Sequence, residues 1–332
     1  MEILVTQPVG NIRDSFITPD CINRLEKLGN VEFNTMDRNF TPQELKEKLN
    51  GKDIALTGWD TAILDRSALE GNDTLKMIAH TGGTVNSLVD DYAYSRGIKV
   101  ISGNDVYAES VAEAIMAYML LGLRKIPKFM GLVRENRWYN YVDVWEGLLD
   151  QTVGFVSFGM IPKHLVKMLK PFRVKIKVYS GHISDDELEK YGMERASLEE
   201  IFSDCKIISI HAALTEKTRH MINKELLERI PNGALLVNTS RGAVIDETAL
   251  TEELKKNRFT AVLDVFEQEP LPLDHPLRTL PNVYPIPHMG GPTYDRRRFV
   301  TMALIDDMEN LMNNKPLKME ISSDYFSHMT KN

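Results

Sequence analysis

Several features that would place a chain in a specialised class are scarce here. The 332 residues hold only 2 cysteines, Cys21 and Cys205, far apart in the chain. Two distant thiols form neither a disulfide framework nor a metal pattern. No HExxH and no other compact His/Cys group supplies a metal site, so no metal is expected. Positive charge is not in excess: the formal net charge is −7. That sign repels phosphate backbones and argues against a nucleic-acid partner. The basic run Arg296-Arg297-Arg298 lies near Asp295, Asp306 and Asp307 and reads as a solvated, salt-bridged helix face. The chain does not open on a basic segment followed by an apolar one, and no apolar stretch approaches about 18 residues. The expectation is a cytoplasmic protein with no membrane segment. Low-complexity tracts and repeats of roughly 20–50 residues are also missing, which excludes solenoids and arrays.

What remains is an ordinary globular composition, 43% hydrophobic and 26% charged, with a length that suits two domains. Short apolar runs alternate with helical patterns. Strands are expected at 2–6, 31–34, 53–57, 77–79 and 99–101, with helices at 20–28 and 41–49 among them. Thr41 and Pro42 supply an N-cap and a first helical position. A long helical pattern covers 107–134 and is interrupted at Pro127; the domain boundary is placed near Gly103. A second series then gives strands at 152–157, 174–180, 206–211, 234–239, 260–265 and 283–286, and a last helix at 294–313. Strands separated by helices imply parallel sheets with crossover connections. The fold class is therefore α/β, with two doubly wound parallel-sheet domains and a cleft between them. Ligands bind such sheets beyond the carboxyl ends of the strands, so residues that follow strands carry the functional weight.

The strand at 152–157 opens into a helix through Ser157-Phe158-Gly159-Met160-Ile161-Pro162. A dinucleotide-binding turn places G-x-G-x-x-G there. Only the middle glycine, Gly159, is kept, the one that lets a pyrophosphate approach the backbone at a helix N-terminus. After the next strand, where an acidic residue would hold ribose hydroxyls, the chain reads Ser180-Gly181-His182. Either NAD or NADP is compatible with that replacement.

Three segments at strand ends carry the chemistry. They are Asn238-Thr239-Ser240-Arg241-Gly242, Asp264 through Glu269-Pro270, and Pro287-His288-Met289-Gly290-Gly291. Alone, Arg241 reads as a surface cation, Glu269 as a loop residue and His288 as a structural histidine. Together, each just after a strand and flanked by Gly or Pro, they point to catalysis.

With these segments in this order, the chain resembles the D-isomer-specific 2-hydroxyacid dehydrogenases, a family that includes glyoxylate and hydroxypyruvate reductases and phosphoglycerate dehydrogenase. The resemblance extends to Val111-Ala112-Glu113, Arg137-Trp138, Thr152-Val153-Gly154, and His211 through Thr218 to Asn223. It implies a Rossmann-type cofactor domain, 104–290, inserted into a flavodoxin-like substrate domain, 1–103 plus 291–332. It implies that Arg241 grips the substrate carboxylate and carbonyl oxygen, that His288 exchanges the proton and that Glu269 orients His288. Around the cofactor it implies Phe158, Gly159, Met160, Ile161, Ser180, Gly181, His182, His211, Ala212, Thr218, Thr239, Ser240 and Gly290, with Asp264 meeting the nicotinamide carboxamide. For the substrate it implies Gly82, Gly83 and Thr84 after the strand at 77–79, together with Tyr107. The usual Asp-Asn pair reads Asn86-Ser87 here. The expected activity is NAD(P)-dependent interconversion of a small 2-keto acid and its 2-hydroxy acid. The expected assembly is a homodimer formed through the cofactor domain, with the long helix and segment 138–145 as its surfaces. Two rival readings use the same residues: an NAD(H)-sensing binding protein of the corepressor type, and a pseudoenzyme that has lost its cofactor because of Ser157, Pro162 and Ser180.

Overall fold

The computed structural model describes residues 1–140, 144–327 and 329. Residues 141–143 of segment 138–145, and 328 and 330–332 at the end of 291–332, lie outside the described residues. The chain divides into two compact units, Met1–Tyr107 with Pro292–Asn332, and Ala108–Gly291.

The first unit holds five strands: β1 (Glu2–Val5), β2 (Asn30–Phe33), β3 (Ile54–Thr57), β4 (Met77–His80) and β5 (Lys99–Ser102). They pair in the order β2-β1-β3-β4-β5, all parallel. Alternate residues of the strands point to opposite faces. Ile3, Val5, Ile54, Leu56, Met77 and Ala79 pack with Val300, Leu304, Ile305 and Met308 from the Arg297–Met312 helix. Leu4, Ala55, Ile78 and Val100 face the other way, toward Leu45, Leu49 and Leu69. Each fully buried Leu or Ile contributes about 1.5–3 kcal/mol, so both faces of the sheet are needed to hold it.

The second unit holds seven strands: β6 (Thr152–Val156), β7 (Lys175–Tyr179), β8 (Met193–Arg195), β9 (Ile207–Ile210), β10 (Leu235–Asn238), β11 (Thr260–Leu263) and β12 (Val283–Pro285). Their order is β12-β11-β10-β9-β6-β7-β8, again all parallel. The order reverses between β6 and β9, and it is at such a switch point that the carboxyl ends of neighbouring strands open a crevice. Val153, Phe155, Ile176, Val178 and Leu235 pack with Ile115, Met119 and Leu123. Ile208, Ile210, Leu236 and Leu263 pack on the opposite face with Phe202, Leu227 and Leu254.

The structure departs from the sequence expectations in several places. The long helix is two, Asn104–Leu123 and Ile126–Arg134, and the break lies at Lys125, whose φ is +49. Pro127 sits in the first turn of the second helix, where a missing N–H costs little. The Asn104–Leu123 helix has 20 residues and an 18-residue window of mean hydropathy 1.4, long and apolar enough by length and composition alone to cross a membrane. Its apolarity is accounted for by packing, since Ala112, Ile115, Met119 and Leu123 are buried in the core of the second unit. The short helix Asn11–Phe16 has no counterpart among the expected elements. Nor have β8 and the Leu198–Asp204 helix, although Ser197 and Glu200 form the capping box that announces the latter.

Candidate active site

The catalytic candidates project from three adjacent strands, β10, β11 and β12, of the second unit. His288 follows β12 with its backbone at φ +50, a left-handed conformation that a non-glycine residue adopts only when its surroundings hold it there. Its Nδ1 lies 2.6 Å from Glu269 Oε2. The other carboxylate oxygen, Oε1, accepts the backbone N–H of Phe266 at 3.0 Å, which fixes the direction of the carboxylate. Both side chains keep contact with solvent, 49% exposed for His288 and 34% for Glu269.

Arg241 follows β10 and is shaped by Asn238, which is 1% exposed. The Asn238 side chain accepts from the Ser240 N–H at 3.0 Å and from the Ser240 hydroxyl at 2.9 Å, and donates to the Arg241 carbonyl at 3.1 Å. Arg241 itself donates to the Ser240 carbonyl at 2.7 Å. Burial lowers the guanidinium pKa from its ordinary value and the nearby Glu269 charge opposes that shift; an arginine stays charged in proteins regardless. A Cβ on Gly242 would fall on the backbone carbonyl of Phe266, so glycine is what lets the Arg241 turn press against the loop that carries Glu269. Asn238 and Gly242 stand inside the segments singled out from the sequence, but the sequence assigns them no role.

Asp264, directly after β11, is 2% exposed. Oδ1 accepts from the Met289 N–H at 2.8 Å and from the Tyr118 hydroxyl at 3.2 Å; Oδ2 accepts from the Gly290 N–H at 2.9 Å. Burial raises its pKa, against the two N–H groups, the His288 charge and the Tyr118 hydroxyl. A Cβ on Gly290 would stand 2.8 Å from Oδ2, so only glycine allows this approach. One acceptor position on Oδ2 is left over.

The residues expected around a dinucleotide lie at the same edge of this sheet, beside the switch point. Ser157 occupies the first glycine position of the motif with φ +79, so the tight turn survives without the glycine. Gly159 is the N-cap of the Met160–Leu169 helix and brings no side chain of its own to that end, and a Cβ on it would meet nothing within 4 Å. Gly181 is equally open, while Ser180 accepts the His182 N–H at 3.4 Å. Among the described residues, both ring nitrogens of His211, just after β9, are buried without a partner, and burial pushes its pKa down to about 3. The Thr239 hydroxyl is likewise buried and, among the described residues, unpaired. Unpaired buried polar atoms are rare in folded proteins and mark places where another group completes the bonding. Open backbone at a helix N-terminus and orphaned polar atoms beside it fit a dinucleotide. Thr218 serves its own loop, with its hydroxyl donating to the Ala213 carbonyl at 2.6 Å. The Phe158 ring packs edge-on against Tyr191, Ile161 supports the core, Met160 begins the helix and Ala212 is buried.

The substrate candidates cluster in the first unit. The carbonyls of Gly82 and His80 both accept the Gly103 N–H, at 3.0 and 3.1 Å. Among the described residues, no hydrogen bond is donated by the N–H groups of Gly82, Gly83 or Thr84. The Tyr107 ring lies beside Gly83 and its hydroxyl is buried; burial raises its pKa, against a side-chain hydrogen bond with Trp59 and the Arg297 charge. Beneath this loop Gln7 donates to the Thr81 hydroxyl at 2.6 Å, and the Thr57 hydroxyl meets His80 Nδ1 at 2.9 Å.

Comparison with known proteins follows the same lines. The family model described as "D-isomer specific 2-hydroxyacid dehydrogenase, NAD binding domain" matches residues 116–290. The chain is 35% identical over 242 residues to a hydroxypyruvate reductase of Thermotoga maritima, covering 72% of this chain and 78% of that one. It is 32% identical over 314 residues to a D-3-phosphoglycerate dehydrogenase of Methanocaldococcus jannaschii, covering 94% of this chain but spanning only 57% of that relative's length. A crystal structure of a Thermus thermophilus protein superposes with a TM-score of 0.79 at 26% identity, over 97% of this chain and all of the other.

Proposed function

We infer the chemistry from one premise: the chain belongs to the D-isomer specific 2-hydroxyacid dehydrogenase family. The reading is that it is an oxidoreductase that moves a hydride between NADH or NADPH and a small 2-keto acid, giving the R-configured 2-hydroxy acid, or the reverse. The observation that carries it is the 2.6 Å contact between His288 Nδ1 and Glu269 Oε2, with Arg241 close enough to feel the Glu269 charge.

The second unit takes the cofactor and the first the substrate. Gly159, Gly181 and the N–H groups of the Met160–Leu169 helix would receive the pyrophosphate and ribose, with His211 and Thr239 gaining partners. The free acceptor position of Asp264 suits a carboxamide NH2. When bound, the cofactor supplies or accepts the hydride. Arg241 meets the substrate carboxylate and carbonyl oxygen, since its planar fork matches a carboxylate in two bonds. His288 donates Nδ1–H to Glu269, which leaves Nε2 to give a proton to the carbonyl oxygen during reduction and to take it back in oxidation. Within the first unit, Gly82, Gly83 and Thr84 have unused N–H groups of the kind that hold a carboxylate, beside the Tyr107 ring.

His288→Ala tests this directly. Keto-acid-dependent oxidation of NADH or NADPH should fall by roughly 10²–10⁴-fold, with cofactor binding retained in a fluorescence titration. Full activity in that variant on the best substrate of a keto-acid panel would overturn the assignment. We further propose a cytoplasmic homodimer. The exposed Ile126, Met130 and Val133 of the Ile126–Arg134 helix, with Trp138 and Trp145, form an apolar face suited to a second copy. Light scattering on the purified chain checks it, and a monomer at micromolar concentration would count against it.

A further inference from the structure

We propose that Tyr118 is a positioning residue for His288, acting through Asp264. The inference rests on the active-site reading above and extends it to a side chain 146 positions away in sequence from its partner.

Tyr118 lies on the Asn104–Leu123 helix and is 8% exposed, with its ring in the core of the second unit. Its hydroxyl reaches Asp264 Oδ1 at 3.2 Å. Burial and the neighbouring carboxylate raise the pKa of the phenol, so it keeps its proton at every working pH. An ionised carboxylate can only accept, which makes Tyr118 the donor. Asp264 therefore has three donors, two of which are the backbone N–H groups of Met289 and Gly290. Those two residues directly follow His288, whose left-handed backbone needs support from its neighbours. Asp264 ties the loop down, and Tyr118 is the one side chain, among the described residues, that donates to Asp264.

A phenyl ring would fill the same core space, so packing alone does not explain the hydroxyl. A buried carboxylate that loses a donor is left with an unmet charge. It then takes up a proton more readily. A protonated Asp264 presents an O–H toward the loop N–H groups and withdraws its charge from His288. The titratable groups facing Asp264 are Tyr118 from the helix and His288 from the loop after β12.

Tyr118→Phe in the full chain is the test, with three readouts. Amide hydrogen exchange at Met289 and Gly290 should quicken, and this needs neither substrate nor turnover. In keto-acid reduction, kcat should fall about 3- to 10-fold while the Kd for NADH stays within about twofold. The acid limb of the kcat profile should move to higher pH. Unchanged exchange, or faster exchange with unchanged kcat and pH profile, would overturn the proposal and leave Tyr118 as core filler. So would a kcat loss that merely follows a fall in Tm. Failure of the active-site reading looks different: the unsubstituted chain would bind NADH yet oxidise it with no keto acid, while the exchange measurement would still report on the Tyr118 tie.

Discussion

Gly82 and Gly159 each follow a parallel strand, one in each unit, yet they are glycine for different reasons. At Gly82 a Cβ would land on the imidazole of His80, two residues back in the same turn. His80 in turn is held by the Thr57 hydroxyl. At Gly159 the backbone has φ −111, which any residue adopts, and a Cβ would meet nothing. The first glycine is required by the folded protein itself. The second meets nothing among the described residues, and it leaves at the helix end the space that the proposed pyrophosphate would need.

The histidines at the two strand ends extend the comparison and give the largest predicted effect. Burial holds His80 neutral with its pKa pushed down to about 4, and His211 down to about 3. The unfolded chain binds these protons near pH 6.5 and the folded chain does not. Stability therefore falls as pH drops below about 6.5, with the loss from His80 complete near pH 4 and that from His211 near pH 3. Between about pH 7 and about pH 4.5 each imidazole should cost roughly 2–3 kcal/mol, read from urea unfolding. A chain with both His80→Asn and His211→Asn should show a flatter fall; an unchanged fall would clear the imidazoles of blame.

Next in size is Gly82→Ala, expected to lose about 2 kcal/mol in the same unfolding measurement, because the His80 ring must leave its place. Wild-type stability would break the contrast on its first side. The smallest effect is on the other side. Gly159→Ala should change stability by less than about 0.5 kcal/mol, yet weaken NADH roughly tenfold, about 1.4 kcal/mol. Undiminished NADH affinity in that variant would mean the open space serves no ligand.

How much of the molecule is legible in the sequence follows from the same physics. Most of the strands show because both faces of a parallel sheet are buried, so each strand reads as a short apolar run between polar turns. β8 does not show: of Met193, Glu194 and Arg195 only the methionine is buried, and an edge strand of three residues leaves no apolar run. Arg241, Glu269 and His288 stand out because each follows a strand beside glycine or proline. Asn238, Gly242 and Tyr118 act through contacts that folding alone creates. Nothing around Tyr118 in sequence points to a carboxylate; its position reads only as one more apolar site on a helix. The sequence pattern puts the helix break at Pro127 instead of Lys125, because a proline inside a helical run marks the end of one helix and the first turn of the next equally well.

The first unit is discontinuous in the chain. Its core is closed by Val300, Leu304, Ile305 and Met308, which a ribosome delivers only after the whole second unit has emerged. Synthesis ordinarily lets the leading domain mature before the trailing one. Here one apolar face of the β1–β5 sheet must wait with only Phe16, Ile17, Cys21, Leu25 and their neighbours against it while the inserted unit completes itself. The newborn chain thus exposes sticky surface for longest in its earliest-made part, where chaperone capture would be most useful.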